Sequence, residues 1–395
     1  MYIKFFFFMS KINHIMYWSP SLVNIATNKA VFNSALSLKK FSKKKNYECS
    51  LLNFFGEFNK IADVASRHNI NIINNFSNTF CSLLPRHGKL KSRLSFILMF
   101  FCSFFPLISI IKKKKPDFLI IHLLTSLPLT LLILFNFNSK FILRISGLPR
   151  LNLFRKYLWK LAFKKIYCVT CPTESTRNYI KSLNIIDPNK LKLLYDPIID
   201  TTEYFIKNKN YHQKISFKER DYYLAVGRLT KQKNFLFLCE CFKEIIDNNT
   251  NVKLLIAGEG EDFKKLNYFI KKNNLEKNIF LIGYKKDILK YFYNSKGLIV
   301  SSLWEDPGFV IIEAGMTKSF ILSSNCLNGP KELIKDNFNG ILFESNDKKS
   351  FIEKFKIFSK LDRINNKALL LNNLKISRRF TLFYHYKSLN NILLN

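Results

Sequence analysis

Short apolar runs alternate with longer helical patterns along most of the chain, and this alternation constrains the fold more than any other feature. Strand-length runs separated by helical segments are typical of βαβ units, which build parallel sheets. Helices then cover both faces of each sheet, so the strands themselves are buried. The sequence therefore predicts an α/β protein built on doubly wound parallel sheets.

The predicted strands form two sets, one in each half of the chain. The first set is Ile12–Tyr17, Cys49–Phe54, Phe118–Ile121, Phe141–Ile145 and Ile166–Thr170. The second set is Tyr223–Val226, Lys253–Ala257, Ile279–Ile282, Gly297–Val300 and Phe320–Ser323. A polar, aperiodic stretch separates the two sets, and a length of 395 residues is enough for two domains. We predict domains over 1–195 and 223–375, a linker over 196–222, and a final helix over 376–395.

The charge is strongly positive and unevenly distributed. The formal net charge is +35; residues 1–200 hold 30 basic and 8 acidic residues, whereas residues 201–395 hold 33 and 20. A basic surface of this kind favours an anionic partner, either a membrane or a nucleic acid. The alternative is a lysine excess that reflects A/T-rich coding DNA, since 51 of the 63 basic residues are lysine. Because the first half has so few acidic residues, we expect that half to meet the anionic partner.

Two segments of the first half favour a membrane surface. Leu94–Ile111 is uncharged and lies at the lower length limit for a spanning helix. Since strands of one predicted sheet precede and follow it, we expect it to pack on the sheet or enter one leaflet. The second segment, Phe154–Lys165, is a predicted basic amphipathic helix, which suits a membrane interface; the alternative is an ordinary helix with a solvated basic face. Its basic half carries Arg155, Lys156, Lys160 and Lys164, and its apolar half carries Phe154, Leu158, Leu161 and Ala162.

Cysteine usage and the first residues favour a reducing cytoplasm. Cys168 and Cys171 have CxxC spacing, but no second pair or histidine lies nearby, so we expect strand cysteines and neither zinc nor redox chemistry. The apolar stretch in Met1–Met9 is too short for a signal-peptide core. The expected location is the inner face of a cytoplasmic membrane, held peripherally.

Glycines and cations follow two strands of the second set. Ligands of doubly wound sheets bind beyond the carboxyl ends of the strands. Gly227 and Arg228 follow the first of these strands, and Lys233 lies five residues further on. Two cations near a helix start can hold a diphosphate. Gly258 and Gly260 follow the next strand, where a tight turn and a ligand role are equally compatible with the pattern.

Two glutamates follow a third strand of this set. Glu305 precedes a break at Pro307 and Gly308, and a helix is predicted over Phe309–Met316 with Glu313 one turn inside. The first N–H groups of such a helix bind phosphate. Glu305 would lie in the loop that faces the site. Hydroxyls of a sugar or ribose suit these carboxylates; the alternative is a capping acid and a helix-surface glutamate.

Taken in order, these pieces resemble a known family. Gly227-Arg228-x4-Lys233, Gly258-x-Gly260 and Glu305-x7-Glu313 are similar to the retaining glycosyltransferases of group 1 (family 4), which have the GT-B fold. The segments Asn328–Glu332 and Asn339–Phe343 resemble that family's late loop and hairpin. The resemblance covers Tyr223–Ser345. It implies two Rossmann-like domains that face a cleft, with the last helix crossing back to the first domain.

The resemblance also implies roles for individual residues. Arg228 and Lys233 would bind the donor diphosphate, Glu305 the hydroxyls of the donor sugar, and Glu313 the ribose. The donor site would be completed by Gly227, Gly258, Gly308, Phe309 and Val310. The family needs no metal, and no cofactor is implied besides the nucleotide diphosphate sugar that serves as the donor.

A histidine in the first half is the second catalytic candidate beside Glu305. Pro116–His122 resembles the family strand that ends in a catalytic-site histidine, and there His122 would bind the sugar or the developing charge. The alternative is a packed histidine with a backbone partner.

The expected function is metal-independent, retaining transfer of a sugar to a lipid-linked or envelope glycan acceptor, as in lipopolysaccharide or surface polysaccharide assembly. Another GT-B enzyme, a phosphorylase or an epimerase, is the alternative within the fold. A nucleic-acid-binding protein ranks lower, because its aromatics would have to be exposed among basic residues. Here most aromatics lie in apolar runs, so no nucleic-acid partner is expected.

Overall fold

A computed structural model describes residues 13–22, 26–42, 46–83, 89–145, 147, 149, 151–208 and 221–394. The chain divides into two compact units, one formed by Met1–Pro197 with Leu382–Asn395 and the other by Ile198–Thr381. The region interpreted as a linker, 196–222, includes a helix at Thr201–Asn208. Its residues 209–220, like the Met1–Met9 stretch, lie outside the described residues.

The first unit holds a parallel sheet of seven strands in the order β3-β2-β1-β4-β5-β6-β7. The strands are β1 (His14–Trp18), β2 (Glu48–Asn53), β3 (Ile70–Asn74), β4 (Phe118–Ile121), β5 (Lys140–Arg144), β6 (Cys168–Cys171) and β7 (Leu191–Leu193). The helices between them are α1 (Ala26–Phe41), α2 (Ala62–Arg67), α3 (Asn78–Leu83), α4 (Lys89–Lys114), α5 (Ser126–Leu134), α6 (Leu153–Lys165) and α7 (Glu174–Ser182). Cys168 and Cys171 are buried free thiols of a strand, as predicted.

The central strands bury both of their faces, which is why they are continuous apolar runs in the sequence. In β4, Leu119 and Ile121 pack in the core formed with α4, α5 and α6. Phe118 and Ile120 pack in a second core with α1 on the opposite face. Alternate residues of one strand therefore serve two cores, as expected of a doubly wound sheet.

The second unit holds a parallel sheet of six strands, in the order β10-β9-β8-β11-β13-β15, and a separate parallel pair, β12-β14. The strands are β8 (Tyr223–Val226), β9 (Leu254–Ala257), β10 (Ile279–Gly283), β11 (Gly297–Val300), β12 (Trp304–Glu305), β13 (Ile321–Ser324), β14 (Leu327–Asn328) and β15 (Ile341–Phe343). The helices are α8 (Thr201–Asn208), α9 (Phe235–Asn248), α10 (Phe263–Lys272), α11 (Leu289–Asn294), α12 (Phe309–Met316), α13 (Gly329–Leu333), α14 (Lys348–Phe358) and α15 (Lys367–Ser377). The α/β, doubly wound prediction is confirmed for both units.

The end of the chain is not the single helix predicted over 376–395. Helix α15 ends at Ser377, and a short 3₁₀ turn leads to Thr381, whose extended backbone forms an isolated bridge with Ile199. The last helix, α16 (Leu382–Leu394), then packs on α1 in the first unit. The extended residue at Thr381 interrupts the helix, so the apolar periodicity on its two sides belongs to two helices.

Polar contacts as well as apolar ones attach α16 to the first unit. Leu382, Leu389 and Leu393 join the core beside α1. The buried His385 donates from Nδ1 to the Tyr195 carbonyl oxygen at 2.7 Å. Because a carbonyl oxygen only accepts, Nε2 of the neutral ring is the acceptor, and it receives the Ser34 hydroxyl at 2.8 Å. This arrangement fixes one neutral tautomer of His385.

The two segments assigned to the membrane are both helices that pack on one face of the first sheet. Helix α4 buries Met99, Leu107 and Ile111 and contacts α5, which in turn contacts α6. The stretch Leu94–Lys114 is long and apolar enough to cross a bilayer. Only 28% of its most apolar part is buried inside the protein. Packing of the predicted hydrophobic helix on the unit is therefore confirmed for one side of α4.

Helix α6 buries only part of its predicted apolar half: Ala162 is buried, and Leu158 and Leu161 are half-buried. Phe154 also belongs to that predicted apolar half, and 73% of its surface is exposed. The buried side chains are Trp159, Ala162 and Phe163. They lie in the middle and last turns of the helix, where α6 meets α5, whereas the first turn extends beyond that contact.

Candidate functional site

Two loops of the second unit meet at the carboxyl ends of β8 and β9. The Gly227 N–H donates to the Ala257 carbonyl at 3.0 Å, and the Leu229 N–H donates to the Glu259 carbonyl at 2.9 Å. Gly258 has a φ of 146°, and a Cβ built on it would lie 1.8 Å from the Gly227 carbonyl oxygen. Only glycine permits this approach, so the two predicted glycine turns form one surface.

Gly227 also leaves room for the lysine of the predicted diphosphate clamp. A Cβ on Gly227 would lie 2.8 Å from Cε of Lys233. The chain between them turns, and Asn234, at a left-handed φ of 54°, is the N-cap residue of α9. The Lys233 side chain is therefore folded back over the end of β8, and 14% of it is exposed.

Lys233 forms an ion pair with the predicted sugar-binding carboxylate. Its Nζ contacts Oε1 of Glu305, whose side chain is only 7% exposed. Glu305 lies in the two-residue strand β12, where the sequence predicted a loop, because β12 pairs with β14. These residues are 72 positions apart in sequence, and the resemblance assigned them to the diphosphate and to the sugar of one donor, yet they are direct partners.

The helix that follows Glu305 has the predicted bounds, Phe309–Met316. Gly308, at a left-handed φ of 96°, is the N-cap residue of α12, and no side chain caps the helix. Helix geometry leaves the N–H groups of Phe309 and Val310 without intrahelical acceptors. These N–H groups and the helix dipole can bind an anion. Glu313, one turn further on, is half-buried and has polar partners of its own.

Arg228 is placed differently from Lys233. It is exposed, and it makes no hydrogen bond or ion pair with any described residue. The structure therefore joins Gly227, Gly258, Lys233 and Glu305 by direct packing or pairing, whereas Arg228 extends from the same loop into solvent.

The structure places His122 in the first unit, at the end of β4. Its N–H donates to the Trp18 carbonyl at 2.8 Å, and the residue is 6% exposed. Nε2 is buried with no hydrogen-bond partner among the described residues. Burial, and then the positive charge of nearby Arg144, hold the pKa of His122 well below its usual range, so the ring is neutral.

A small cavity beside His122 is lined by polar groups that the sequence analysis did not single out. They include Arg144, Asp196 and His385. Arg144 donates to Asp196 in a buried ion pair at 2.5 Å. A signal was present, because Arg144 stands at the carboxyl end of an apolar strand, as the residues of the second unit do.

No group of three His, Cys, Asp or Glu side chains that could hold a metal ion occurs within the part of the chain that the structure describes.

The sequence of this chain is similar to a glycosyltransferase family and to individual glycosyltransferases. Residues 207–369 match the family model described as glycosyl transferases group 1. The chain is 29% identical over 253 residues to an uncharacterized glycosyltransferase of Methanocaldococcus jannaschii, covering 60% of this chain and 62% of that protein. It is 33% identical over 208 residues to an Escherichia coli UDP-Gal:alpha-D-GlcNAc-diphosphoundecaprenol alpha-1,3-galactosyltransferase, covering 49% and 53%.

A solved structure extends the likeness to both units. The crystal structure of a glycosyltransferase from Rickettsia africae superposes with a TM-score of 0.73 at 17% identity, and it covers 97% of this chain and 98% of that one. The GT-B fold and the resemblance to group 1 glycosyltransferases are therefore confirmed. The matched regions span 62% and 53% of the two relatives compared by sequence, which is less than two thirds of each.

Proposed function

Residues 207–369 match the group 1 glycosyltransferase family, and the chain has a GT-B fold. From this premise we propose that the protein transfers a sugar from a nucleotide diphosphate sugar to a lipid-linked or envelope glycan acceptor. The observation that carries the proposal is the cluster of Lys233, Glu305 and the open N-terminus of α12 at the strand ends of the second unit. The cation and the anion-binding N–H groups suit the diphosphate of such a donor, and the carboxylate suits the hydroxyls of its sugar.

The second unit would hold the donor in an extended arrangement. The solvent-exposed Arg228 and the N–H groups of Phe309 and Val310 would bind the diphosphate. Lys233 would either turn toward the diphosphate or contact the diphosphate and Glu305 together. Glu305 would hold sugar hydroxyls, and Glu313 would hold the ribose. Fixed charges of this kind can stabilise the departing diphosphate, which supports our proposal of a metal-independent reaction.

The proposed reaction retains the configuration at the anomeric carbon. The bond between that carbon and the diphosphate oxygen breaks, and the acceptor oxygen forms its bond on the same face. The acceptor hydroxyl gives its proton to the departing diphosphate, so charge and atoms balance. His122 remains a proposed contributor in the first unit. Because its ring is buried and neutral, it would act as a hydrogen-bonding group and not as a cation.

The acceptor side is proposed to lie at a membrane surface. Helix α4 exposes Leu94, Ile97, Phe101 and Phe105, and the first turn of α6 exposes Leu153, Phe154 and Tyr157. Exposed cations accompany both segments, at Lys112–Lys115 and at Arg155 and Lys156. Apolar side chains flanked by lysines bind anionic bilayers without spanning them. We therefore propose a peripheral position on the inner face of the cytoplasmic membrane, with surface polysaccharide or lipopolysaccharide assembly as the setting.

The test is a transfer assay with the purified chain and a panel of UDP- and GDP-sugars, run with undecaprenyl-diphosphate-linked sugars as acceptors, with and without a chelator. A labelled product with the wild type and none with Glu305→Ala supports the proposal. Transfer that requires added divalent metal contradicts metal independence alone. Phosphate-dependent release of a sugar phosphate with no transfer would indicate a phosphorylase.

A further inference from the structure

Two consecutive serines, Ser301 and Ser302, follow β11 and lead directly to the Glu305 segment. Both are 1% exposed. Ser301 Oγ donates to the Lys233 carbonyl oxygen at 2.8 Å. Ser302 Oγ donates to Glu305 Oε1 at 2.6 Å. Each serine therefore holds one member of the Lys233–Glu305 pair, Ser301 through the backbone and Ser302 through the carboxylate.

The same loops are joined at a third residue. The Leu303 N–H donates to the Gln232 carbonyl at 2.9 Å, and Gln232 Nε2 donates to the Trp304 carbonyl at 2.8 Å. The loop that carries Lys233 is thus bonded to the loop that carries Glu305 at successive positions. Ser302 is held in its turn, because Ser324 Oγ donates to the Ser302 carbonyl at 2.6 Å.

The contacts of Glu305 fall on one oxygen. Both Lys233 and Ser302 reach Oε1, whereas no described residue donates a hydrogen bond to Oε2. The terminal torsion of a glutamate side chain is broad, so without such contacts the carboxylate would rotate. A hydrogen bond from a hydroxyl to a carboxylate is short and strong, and it limits that rotation.

We infer that Ser302 is a positioning residue that orients Glu305 so that Oε1 faces the protein and Oε2 faces the hydroxyls of the donor sugar. Ser301 complements it by fixing the backbone from which Lys233 extends. This inference rests on the proposed function and names the group that gives the carboxylate its direction. Lys233 cannot do this alone, because the proposed donor diphosphate competes for its charge.

The experiment compares the turnover of Ser302→Ala, Ser302→Thr and the matched control Ser295→Ala. Ser295 is also 1% exposed, and its hydroxyl donates only to the Phe292 carbonyl, at 2.9 Å. Removal of the hydroxyl at Ser302 should lower kcat by about tenfold with the donor KM nearly unchanged, since a bond to a charged group is lost. Ser302→Thr keeps a donor and should restore turnover, and Ser295→Ala should keep wild-type turnover.

A second arm uses the Glu305→Gln background. If Ser302 acts through the carboxylate, Ser302→Ala should add little to the defect of Glu305→Gln, because residues that act as a unit are not additive. The inference would be overturned if Ser302→Ala kept the wild-type kcat. It would also be overturned if Ser302→Ala lowered kcat as much in the Glu305→Gln variant as in the wild type, and in both cases the proposed function would stand. Absence of transfer by the wild type with every nucleotide sugar would instead refute the proposed function.

Circular dichroism and melting curves accompany each variant. If Ser302→Ala does not fold, Ser302→Thr and Ser302→Cys take its place, because the thiol is a much weaker donor of similar size. Lower turnover for the cysteine variant than for the threonine variant supports the inference. Equal turnover of these two variants would refute it.

Discussion

The variants Lys233→Met and Arg228→Met each replace one cation of the site by an uncharged side chain. Their comparison should show which cation stabilises the folded protein and which one binds only the ligand. Lys233 is 14% exposed and pairs with a carboxylate that is 7% exposed. Arg228 is exposed and has no described partner. The two substitutions remove the same charge from one loop, yet only the first leaves a buried carboxylate without its cation.

The magnitude follows from that difference. Loss of one partner of a buried pair costs about 3–5 kcal/mol, because the remaining charge stays desolvated. We expect the lower end for Lys233→Met, about 3 kcal/mol, since Ser302 still donates to Glu305. In a domain of this size that corresponds to a decrease in Tm of roughly 6–12 °C. Arg228→Met should leave the free energy of unfolding within about 0.5 kcal/mol of wild type.

The assay combines thermal melts with isothermal titration of UDP and GDP. Arg228→Met should melt like wild type but bind the preferred nucleotide about tenfold or more weakly, because a charge-assisted contact is lost. The double variant Lys233→Met/Glu305→Gln should recover part of the stability, since it no longer buries an unpaired charge. A Lys233→Met protein as stable as wild type would refute the reasoning, and so would Arg228→Met with unchanged affinity for both nucleotides.

Three further results are expected. Glu305→Gln should lower kcat with little change in donor KM, whereas Glu313→Gln should mainly raise the donor KM; steady-state kinetics on folded variants would show the reverse if the roles were exchanged. The pair Phe101→Asp and Phe105→Asp should reduce cosedimentation with anionic liposomes and leave donor binding intact, and equal sedimentation of wild type and variants would contradict membrane docking through α4. Burial lowers the pKa of His385 to about 4, so the unfolded chain binds an extra proton between about pH 6.5 and 4, and stability falls by about 3 kcal/mol as the pH is lowered through that range. His385→Gln should flatten this pH dependence in urea melts, and an unchanged slope would exclude His385 as its source.

Three of the ten predicted strands were predictable to the residue, and the other seven differ from the structure by one or two residues at one or both ends. The bounds of Phe118–Ile121, Tyr223–Val226 and Gly297–Val300 agree with the structure, as do those of the helix Phe309–Met316. The strands that were not predicted lack a continuous apolar run of strand length. Strand β3, Ile70–Asn74, contains two asparagines and lies at an edge of its sheet, and β15 has only three residues.

The strand ends that carry the candidate site residues were predictable, but the pairing of their side chains was not. The rule that ligands bind at the carboxyl ends of strands led to Lys233 and to Glu305 separately. Their contact depends on how two loops, 72 residues apart, fold back on each other. Ser302 stands at the same strand end, but a serine carries no charge that would have distinguished it from other polar residues. Long-range pairing of this kind leaves no local pattern in a sequence.

The return of α16 to the first unit imposes an order on folding during synthesis. The leucines that complete the core beside α1, Leu382 and Leu389 among them, leave the ribosome only after the whole second unit has been made. Domains usually fold in the order of synthesis. Here the second unit can fold before the first unit is complete. Part of the apolar surface of the first unit stays exposed to solvent while the residues of the second unit, Ile198–Thr381, are synthesised. The nascent chain is therefore most exposed to aggregation and to chaperones through its earliest-made half.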